Sequence, residues 1–361
     1  MLFSSLTTAL IAATAALASP MKRESGLVVT VSTNAVEVES IADLAVTAKV
    51  ENTGATDLRI LNFATIFDAN RLTRSFTVIK EGEAEEHVKF TGVSLNIDLS
   101  LVDDSGFTVI PAGGSVTVEH TNLAEIYDFE TAGTGSFTFE PATVFQIEEG
   151  NSLNPVDNLV SLDSTSNSVT VDVTANVARR EVAAEKRAVV TCNNASQRAQ
   201  IQSSYTEAKS MASITANWIS SNSGSALYRS YFGNNSPTTI RNRFVTIANE
   251  NSSSRTLSCT DPYGACSGGV IAYMLIATTN IYFCQPFWSN VPQTRLCSGT
   301  SVAQRNIRGG TTLHELSHAV ASTIDVTYGC SANQGLSDAN KLRNADNYNC
   351  FAAQVYQNTQ C

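Results

Sequence analysis

The stretch "TTLHELSHAVASTIDVTYGC" occupies residues 311–330 and contains two of the four histidines of the chain, His314 and His318. With Glu315 between them they form an H-E-x-x-H motif. On a helix, residues four apart lie on one face, so the two imidazoles can bind one metal ion. Glu315 lies beside that face, where it can take a proton from metal-bound water. The motif therefore predicts a catalytic zinc centre.

An ordinary helix start is the alternative interpretation of the same residues. Thr312, followed three positions later by Glu315, fits a capping box, in which the histidines would have no chemical role. A chance H-E-x-x-H in a chain of this length has a probability on the order of one in a hundred. Residues 188–361 contain no histidine outside the motif, and this concentration favours the metal site.

A catalytic zinc site has three protein ligands and keeps a fourth position for water. No histidine follows His318 and no glutamate follows Glu315. The side-chain carboxylates downstream are Asp325, Asp338 and Asp346. If a downstream side chain completes the site of a single zinc ion, that side chain is an aspartate.

The three aspartates differ in their surroundings. Asp338 follows Ser337 at the start of a helical run and is interpreted as a helix cap. Asp346, in "NADNY", competes with Asp325 for the role of third ligand. If it is not the ligand, we expect it to hold the free N–H of a ligand histidine. The residues alone leave this choice open.

A family resemblance bears on that choice. "HELSH" (314–318), followed by "STIDVTYG" (322–329), resembles the aspzincin pattern of HExxH followed by GTxDxxYG. The sequence resembles the fungal deuterolysins of peptidase family M35. The resemblance extends over most of residues 188–361 and includes "YGACSGGVIAYM" (263–274), "IYFCQPFW" (281–288) and "NADNY" (344–348). Ser322 stands where the pattern has its first Gly.

The resemblance implies a zinc-dependent metalloendopeptidase with a zincin-type fold and one zinc ion per catalytic domain. It implies that Asp325 is the third ligand, and that proteins and peptides are the substrates, basic ones for some members. The Tyr328 hydroxyl would stabilise the oxyanion, although a packed core tyrosine is the alternative. The resemblance also implies the disulfides Cys192–Cys259, Cys266–Cys284 and Cys297–Cys361, which leaves Cys330–Cys350.

The N-terminus has the features of a secretory signal. "MLFSSLTTALIAATAALASP" is too short an apolar run to span a bilayer, and Ala16-Leu17-Ala18 supplies a small-x-small cleavage pattern. All eight cysteines lie at or after Cys192, an arrangement typical of a secreted, disulfide-stapled domain. We therefore predict a secreted, extracellular protein with a signal peptide at 1–19.

Charge divides the chain where the cysteines do. Residues 1–187 hold 12 Lys and Arg against 26 Asp and Glu, whereas residues 188–361 hold 11 against 7. The junction "VARREVAAEKRAVVTC" (177–192) contains the basic pairs Arg179-Arg180 and Lys186-Arg187, and exposed polar linkers are where proteases cut. We therefore predict an acidic propeptide at 20–187 and a catalytic domain at 188–361. Lys22-Arg23 is a further basic pair.

Hydrophobic periodicity predicts different folds for the two halves. Period-two runs at 27–33, 43–54, 114–120, 135–141 and 167–174 indicate strands and a β-sandwich-like prosegment. Apolar spacings of three and four indicate helices at 196–221, 239–250 and 344–357, and 270–284 indicates a hairpin. The sequence thus predicts a two-domain precursor whose second domain is α-rich α+β with a small sheet.

The partners follow from this organisation. The propeptide is expected to act as chaperone and inhibitor, either by covering the cleft or by supplying a carboxylate or histidine ligand. We predict a monomer that binds neither nucleic acid nor membrane. Asn194, Asn234 and Asn251 are candidate glycosylation sites. A secreted binding or adhesion module with a structural zinc, closed by four protein ligands, is the competing function.

Overall fold

A computed structural model describes residues 26–82, 86–149, 159–178 and 190–361. The predicted signal peptide, all three basic pairs and the predicted cleavage point before Ala188 lie outside the described residues. In the part of the chain described here, no helix combines the length and apolarity needed to cross a membrane.

The half of the chain before residue 178 is made mainly of strands, as its period-two runs predict. The strands are β1 Leu27–Thr33, β2 Glu37–Ser40, β3 Val46–Asn52, β4 Leu58–Leu61, β5 Phe76–Lys80, β6 Glu86–His87, β7 Val93–Ile97, β8 Phe107–Ile110, β9 Ser115–His120, β10 Gly135–Pro141, β11 Val144–Glu148, β12 Leu159–Asp163, β13 Thr165–Ser166 and β14 Val169–Asn176. Two short helices, α1 Leu123–Ile126 and α2 Phe129–Ala132, connect β9 to β10.

The half after residue 190 is mainly helical, and the three helices and the hairpin predicted there are confirmed. Its strands are β15 Val190–Thr191, β16 Leu257–Ser258, β17 Val270–Leu275 and β18 Asn280–Phe283. Its helices are α3 Ala195–Asn222, α4 Ala226–Phe232, α5 Pro237–Ala248, α6 Arg308–Ala321, α7 Cys330–Gln334, α8 Asp338–Arg343 and α9 Ala345–Gln360.

The strands assemble into four small sheets, so the fold is mixed α/β. Three sheets use strands of the first half, in the orders β13-β1-β3-β9, β2-β14-β10-β5-β6 and β12-β11-β4-β8. The fourth has the order β15-β16-β18-β17-β7 and takes its edge strand, β7, from the first half. A separate β-sandwich-like prosegment is therefore not confirmed, because alternation identifies strands but does not specify their partners.

Buried apolar side chains form three clusters. One draws its buried members from residues 27–173 and another from residues 192–356. The third, which we call the shared cluster, is built by both halves. It contains Leu61, Phe63, Val93, Leu95, Ile97, Leu99 and Leu159 together with Ala265, Val270, Tyr273, Leu275, Tyr282, Cys284 and Tyr328.

All four implied disulfides are confirmed. They are Cys192–Cys259, Cys266–Cys284, Cys297–Cys361 and Cys330–Cys350. The last one joins α7 to α9, the helix that carries Asp346. The three candidate glycosylation asparagines are exposed.

His120 is a buried histidine in the first half. It ends β9, is 1% exposed, and meets the ring of Phe76 edge-on with centroids 4.9 Å apart. Burial lowers the pKa of His120 to about 4, although a backbone hydrogen bond at Ile66 acts in the opposite direction. The native state therefore holds the ring neutral at pH values where the unfolded chain protonates it.

We predict that this histidine makes the fold acid-sensitive. Because the folded state binds this proton less readily than the unfolded chain, the free energy of unfolding is unaffected by His120 above about pH 6.5. It decreases as the pH falls from there towards about 4, by up to about 3 kcal/mol. His120→Phe should flatten the pH dependence of the free energy of unfolding between about pH 6.5 and pH 4.5. Urea unfolding followed by circular dichroism would measure it, and equal slopes in both proteins would contradict the prediction.

Candidate metal centre

The H-E-x-x-H motif lies in the middle of α6. This helix begins at Arg308, four residues before Thr312, and its N-cap residue Ile307 makes no side-chain cap bond. The Thr312 hydroxyl instead donates to Ser204 Oγ on α3, at 2.8 Å. The capping-box interpretation is therefore wrong, because the helix is already formed when the motif begins.

Two glycines let the first turn of α6 approach its neighbours. A Cβ on Gly309 would lie 2.7 Å from Glu207 Cβ of α3, and one on Gly310 would lie 2.4 Å from Asn349 Oδ1 of α9. A side chain at 309 would push the α3 backbone at Glu207, and one at 310 would displace the Asn349 amide. The motif residues 314–318 are consequently buried on all sides.

The helix ends in a left-handed residue. Ser322 has φ 54° and ψ 39°, and its N–H donates to Ser317 O. Ser therefore adopts the conformation that a Gly in the resembled pattern would adopt more easily. The turn after α6 is thus formed despite the substitution, and the chain continues to Asp325.

Three side chains converge at the end of this turn. Asp325 Oδ1 lies 3.1 Å from His314 Nε2 and 3.3 Å from His318 Nε2. One ligand atom from each residue can be chosen so that all lie within 4.8 Å of one another. Ligand atoms around a tetrahedral zinc with bonds near 2.0–2.1 Å are about 3.3 Å apart, so the spacing suits that ion.

The hydrogen bonds of the two histidines fix which nitrogen faces Asp325. His314 Nδ1 lies 3.1 Å from Asp346 Oδ1, and His318 Nδ1 lies 2.9 Å from the Thr323 carbonyl oxygen. The Asp346 carboxylate and the Thr323 carbonyl only accept hydrogen bonds, so each Nδ1 donates to its partner and Nε2 is the nitrogen that faces Asp325. Positive charge between the Nε2 atoms and the carboxylate, from a proton or from a metal ion, is what this arrangement needs.

The pKa values show the same demand for positive charge. Burial alone would lower the pKa of His314, but hydrogen bonds and charges from Asp325 and Asp346 raise it to about 9. Burial opposes ionisation of Asp325, yet His318 and His314 hold the pKa of Asp325 well below its usual range. The donor set of two imidazoles and one ionised carboxylate therefore fits a divalent metal such as zinc.

Asp346 is fully engaged away from that cluster. Its Oδ1 accepts from Arg305 Nη2 at 2.7 Å and from His314 Nδ1, and its Oδ2 accepts from Gly329 N–H at 2.8 Å. Burial would raise the pKa of Asp346, but Arg305 and His314 keep it lowered. Asp346 thus contacts the Nδ1 side of the His314 ring, and Asp325 contacts the Nε2 side.

Glu315 and Tyr328 place unsatisfied polar atoms in the same region. Neither carboxylate oxygen of Glu315 has a hydrogen-bond partner among the described residues, nor has the Tyr328 hydroxyl. Burial, with the charges of Asp325 and Asp346, raises the pKa of Glu315, against a lowering effect of His318. Burial and nearby carboxylates also raise the pKa of Tyr328. Orphaned buried groups of this kind indicate that a bound species belongs here.

Asp338, the remaining candidate, lies outside the cluster. The N-cap of α8 is Ser337, whose side chain accepts from Asn340 N–H, and Asp338 is the first helical residue. Its Oδ2 accepts from Asn234 N–H at 3.1 Å. The interpretation of Asp338 as the helix cap is therefore wrong, because Ser337 takes that position and Asp338 begins the helix.

The loop from Asp325 to Gly329 is held from two sides. Asn344 Oδ1 accepts from Val326 N–H at 2.9 Å and from Thr327 N–H at 3.2 Å. Gln146, on β11 of the first half, donates to the Tyr328 carbonyl at 2.8 Å and accepts from the Tyr328 N–H at 2.7 Å.

Sequence reasoning missed several residues that touch the centre. Arg305 orients Asp346, and Leu95 of β7 donates its backbone N–H to Asp325 Oδ2 at 2.9 Å. Gln146 was missed as well. Arg305 belongs to no recognisable motif, and the contact of Leu95 uses only backbone, so neither leaves a signal in a single sequence.

A cavity of about 480 Å³ adjoins the cluster. Arg74 and Glu140 of the first half line it together with Asp325 and Arg343. Asp325 thus belongs both to the wall of this cavity and to the metal cluster.

Comparisons with known proteins agree with this centre. A family model described as the Deuterolysin metalloprotease (M35) family matches residues 1–361. A "Neutral protease 2 homolog" of Phaeosphaeria nodorum is 28% identical over 337 residues, covering 90% of this chain and 92% of the relative. A "Peptidyl-Lys metalloendopeptidase" of Armillaria mellea is 29% identical over 330 residues, covering 87% and 88%.

One further relative covers almost the whole chain. A "Probable neutral protease 2 homolog" of Arthroderma otae is 29% identical over 373 aligned positions, 96% of this chain and 98% of the relative. Among solved structures, a type I cohesin of Pseudobacteroides cellulosolvens covers 44% of this chain and 98% of its own, with 10% identity and a TM-score of 0.20. That likeness is too low to support an argument.

The geometry predicts different zinc affinities for three aspartate variants. Asp325→Ala should lose most zinc binding, whereas Asp346→Ala should weaken it about 10–100-fold, because only the orientation of His314 is lost. Asp338→Ala, on the surface of the same half, serves as control and should bind normally. Zinc content after dialysis against graded chelator would measure this. Retention of zinc by Asp325→Ala with loss in Asp346→Ala would reverse the assignment.

Proposed function

This chain belongs to the deuterolysin metalloprotease (M35) family and is a zinc metalloendopeptidase, and from this premise we propose that one zinc ion is held by His314, His318 and Asp325. The observation that carries the proposal is the convergence of both Nε2 atoms on Asp325 Oδ1. The alternative function, a binding module with a structural zinc, is wrong for a member of a metalloprotease family.

Glu315 is the proposed general base and acid. When bound, zinc supplies a Lewis acid for the scissile carbonyl and lowers the pKa of a coordinated water towards about 7. Glu315 takes a proton from the attacking water while the water oxygen bonds to the carbonyl carbon. It then delivers that proton to the amine nitrogen as the C–N bond breaks. Burial raises the pKa of Glu315, and the positive charge of a bound ion would lower it, so its role as a base depends on the ion.

Tyr328 is proposed to stabilise the oxyanion. Its raised pKa keeps the hydroxyl protonated and able to donate. The hydroxyl is buried without a hydrogen-bond partner among the described residues, so a donor is available for a charge that develops during the reaction. The packed-core alternative gives the ring a role but leaves this hydroxyl unused.

We propose that the protein is made as a secreted precursor. The signal peptide is 1–19, the propeptide 20–187 and the catalytic domain 188–361. Four disulfides, all after residue 190, support an oxidising compartment. The separate apolar clusters of residues 27–173 and 192–356 support two units joined through the shared cluster.

Proteins and peptides are the substrates, and we propose that basic side chains are not strictly required. Residues 188–361 contain seven carboxylates. Outside the metal centre, Glu207 pairs with Arg308 and Glu250 with Arg255. Asp261 accepts from the Tyr273 hydroxyl at 2.9 Å. The fourth, Asp338, accepts from Asn234 N–H at 3.1 Å, so each carboxylate outside the centre already has a partner. A monomeric state and glycosylation at the three asparagines stay predictions.

The role of Glu315 predicts a variant that is folded, zinc-loaded and inactive. Glu315→Gln should lower kcat on casein by about 10²–10⁴-fold, because the amide cannot accept the proton of water. Asp338→Asn is the matched control and should keep full turnover. Zinc content and circular dichroism should be unchanged in both. Near-normal turnover of the Glu315 variant would remove it as the base.

The precursor organisation predicts where the secreted protein begins. N-terminal sequencing should find Ala188 as the first residue, and Lys186→Ala combined with Arg187→Ala should leave the chain uncut. Arg179→Ala combined with Arg180→Ala should still be processed. A mature form that begins elsewhere, or that appears despite the first pair of substitutions, would contradict the proposed boundary.

A further inference from the structure

The strand β7 runs along the edge of the sheet that lies against α6. It pairs antiparallel with β17, and its residues Val93, Ser94 and Leu95 lie opposite Leu275, Met274 and Tyr273. Without β7, β17 would be the edge strand of a sheet built only from residues after 190. An unpaired edge of this kind is the place where an extended peptide can add as a further strand.

The two edges of β7 have different partners. Gly92 O accepts from Ile276 N–H and Asp98 N–H donates to Gly269 O, both at 2.8 Å, so the even-numbered residues face β17. Successive residues of a strand point their backbone groups to opposite edges. The backbone N–H and C=O groups of the odd-numbered residues therefore point away from β17, and the Val93 N–H donates to Leu72 O at 2.8 Å.

Two contacts of Leu95 and Ile97 show that this second edge meets the metal centre. Leu95 N–H donates to Asp325 Oδ2 at 2.9 Å, and Ile97 O accepts from Arg305 Nη1 at 2.8 Å. Since N–H and C=O of one strand residue share an edge, the Leu95 carbonyl is directed to the same side. Backbone of the first half thus lies directly beside Asp325, the proposed metal ligand.

A second element of the first half holds the loop beside the metal centre. The Gln146 side-chain amide bonds both backbone groups of Tyr328 and is buried. This pair of hydrogen bonds fixes the backbone of Tyr328, which lies three residues after Asp325. The two contacts come from β7 and β11, which belong to different sheets, so docking of the first half engages the centre at two points.

Within residues 26–82, 86–149 and 159–178, no side chain joins the metal cluster as a ligand. Among the described residues, the group of side chains that could hold an ion consists of His314, His318 and Asp325. Contacts from the first half to Asp325 and Tyr328 use backbone and an amide, which do not replace an anionic ligand. The way in which the first half acts on the centre is therefore occupation of space.

We propose that Val93–Ile97, with Gln146, is the inhibitory element of the precursor: β7 occupies the β17 edge as a pseudosubstrate strand and Gln146 fixes the Tyr328 loop. This rests on the proposed function. It follows that cutting the chain at Arg187 does not by itself free the site, because β7 stays bound by its ladder and by the shared cluster. Activity requires that the first half leave.

The test uses full-length chain made uncleavable by Lys186→Ala and Arg187→Ala, and a quenched fluorescent peptide as substrate. This precursor should turn over at about a hundredth of the rate of the cut form from which the first half has been removed, because only molecules with undocked β7 are competent. Ser94→Pro, which removes an N–H facing β17, and Gln146→Ala should each raise precursor activity at least about tenfold.

Val171→Ala is the matched control. Val171 is fully buried in the cluster of residues 27–173, away from the metal centre, so the variant weakens the first half without touching β7 or Gln146. Its precursor should stay as inactive as wild type. The proposal would be overturned if this control were activated to the same extent. It would also be overturned if the Ser94→Pro and Gln146→Ala precursors stayed inactive with normal zinc content, or if the wild-type precursor were as fast as the cut form.

Hydrogen exchange supplies a readout that does not depend on turnover. The Ile276 amide, bonded to Gly92 O, should be protected in the precursor and exchange after the first half leaves, whereas Tyr273 and Leu275, which face β18, should stay protected. Unchanged protection of Ile276 would contradict the docked strand. If the cut form shows no chelator-sensitive activity, the proposed function itself fails, and this exchange pattern still tests the docking.

Discussion

Compensation of buried negative charge is the constraint on which the rest of the structure depends. Glu315, Asp325 and Asp346 are buried within one small region with two imidazoles. Ionised groups in such a place are costly unless they are paired and hydrogen-bonded. Arg305 compensates Asp346, Asp346 orients His314, and Asp325 is left facing both Nε2 atoms. The polar contacts thus lead from the Arg305 guanidinium through Asp346 and His314 to Asp325, where a further cation is needed.

This constraint explains why α6 does not have the pattern of an ordinary surface helix. Its motif residues are polar and yet buried, since α3, α9 and the sheet surround them. The glycines at its start allow that enclosure, and the left-handed Ser322 turns the chain back so that Asp325 reaches both histidines. α9 contributes Asp346 from its first turn, and the Cys330–Cys350 disulfide ties it to the segment that follows Tyr328.

The sequence allowed prediction of features that are local or that a motif records. H-E-x-x-H identified His314, Glu315 and His318, elimination reduced the third ligand to an aspartate, and period-two runs located β1 and β10 at their observed bounds. The resemblance supplied the disulfides. Partners distant along the chain were not predictable. "VSLNI" is as suitable for any strand as for β7, and its pairing with β17 spans about 175 residues and depends on backbone groups that every residue possesses. Arg305 was not predictable either, because a single arginine outside a motif has no characteristic spacing that identifies its role.

The arrangement of β17 has a consequence for the life of the protein before it meets a substrate. A bare, apolar sheet edge invites the same edge of another molecule, and growing chains are crowded together while they fold. An edge that must later accept foreign polypeptide cannot be blunted by charge or proline without losing that use. If β7 acts as we propose, the strand that blocks the catalyst also keeps newly made copies from pairing edge to edge, and both effects come from one piece of backbone.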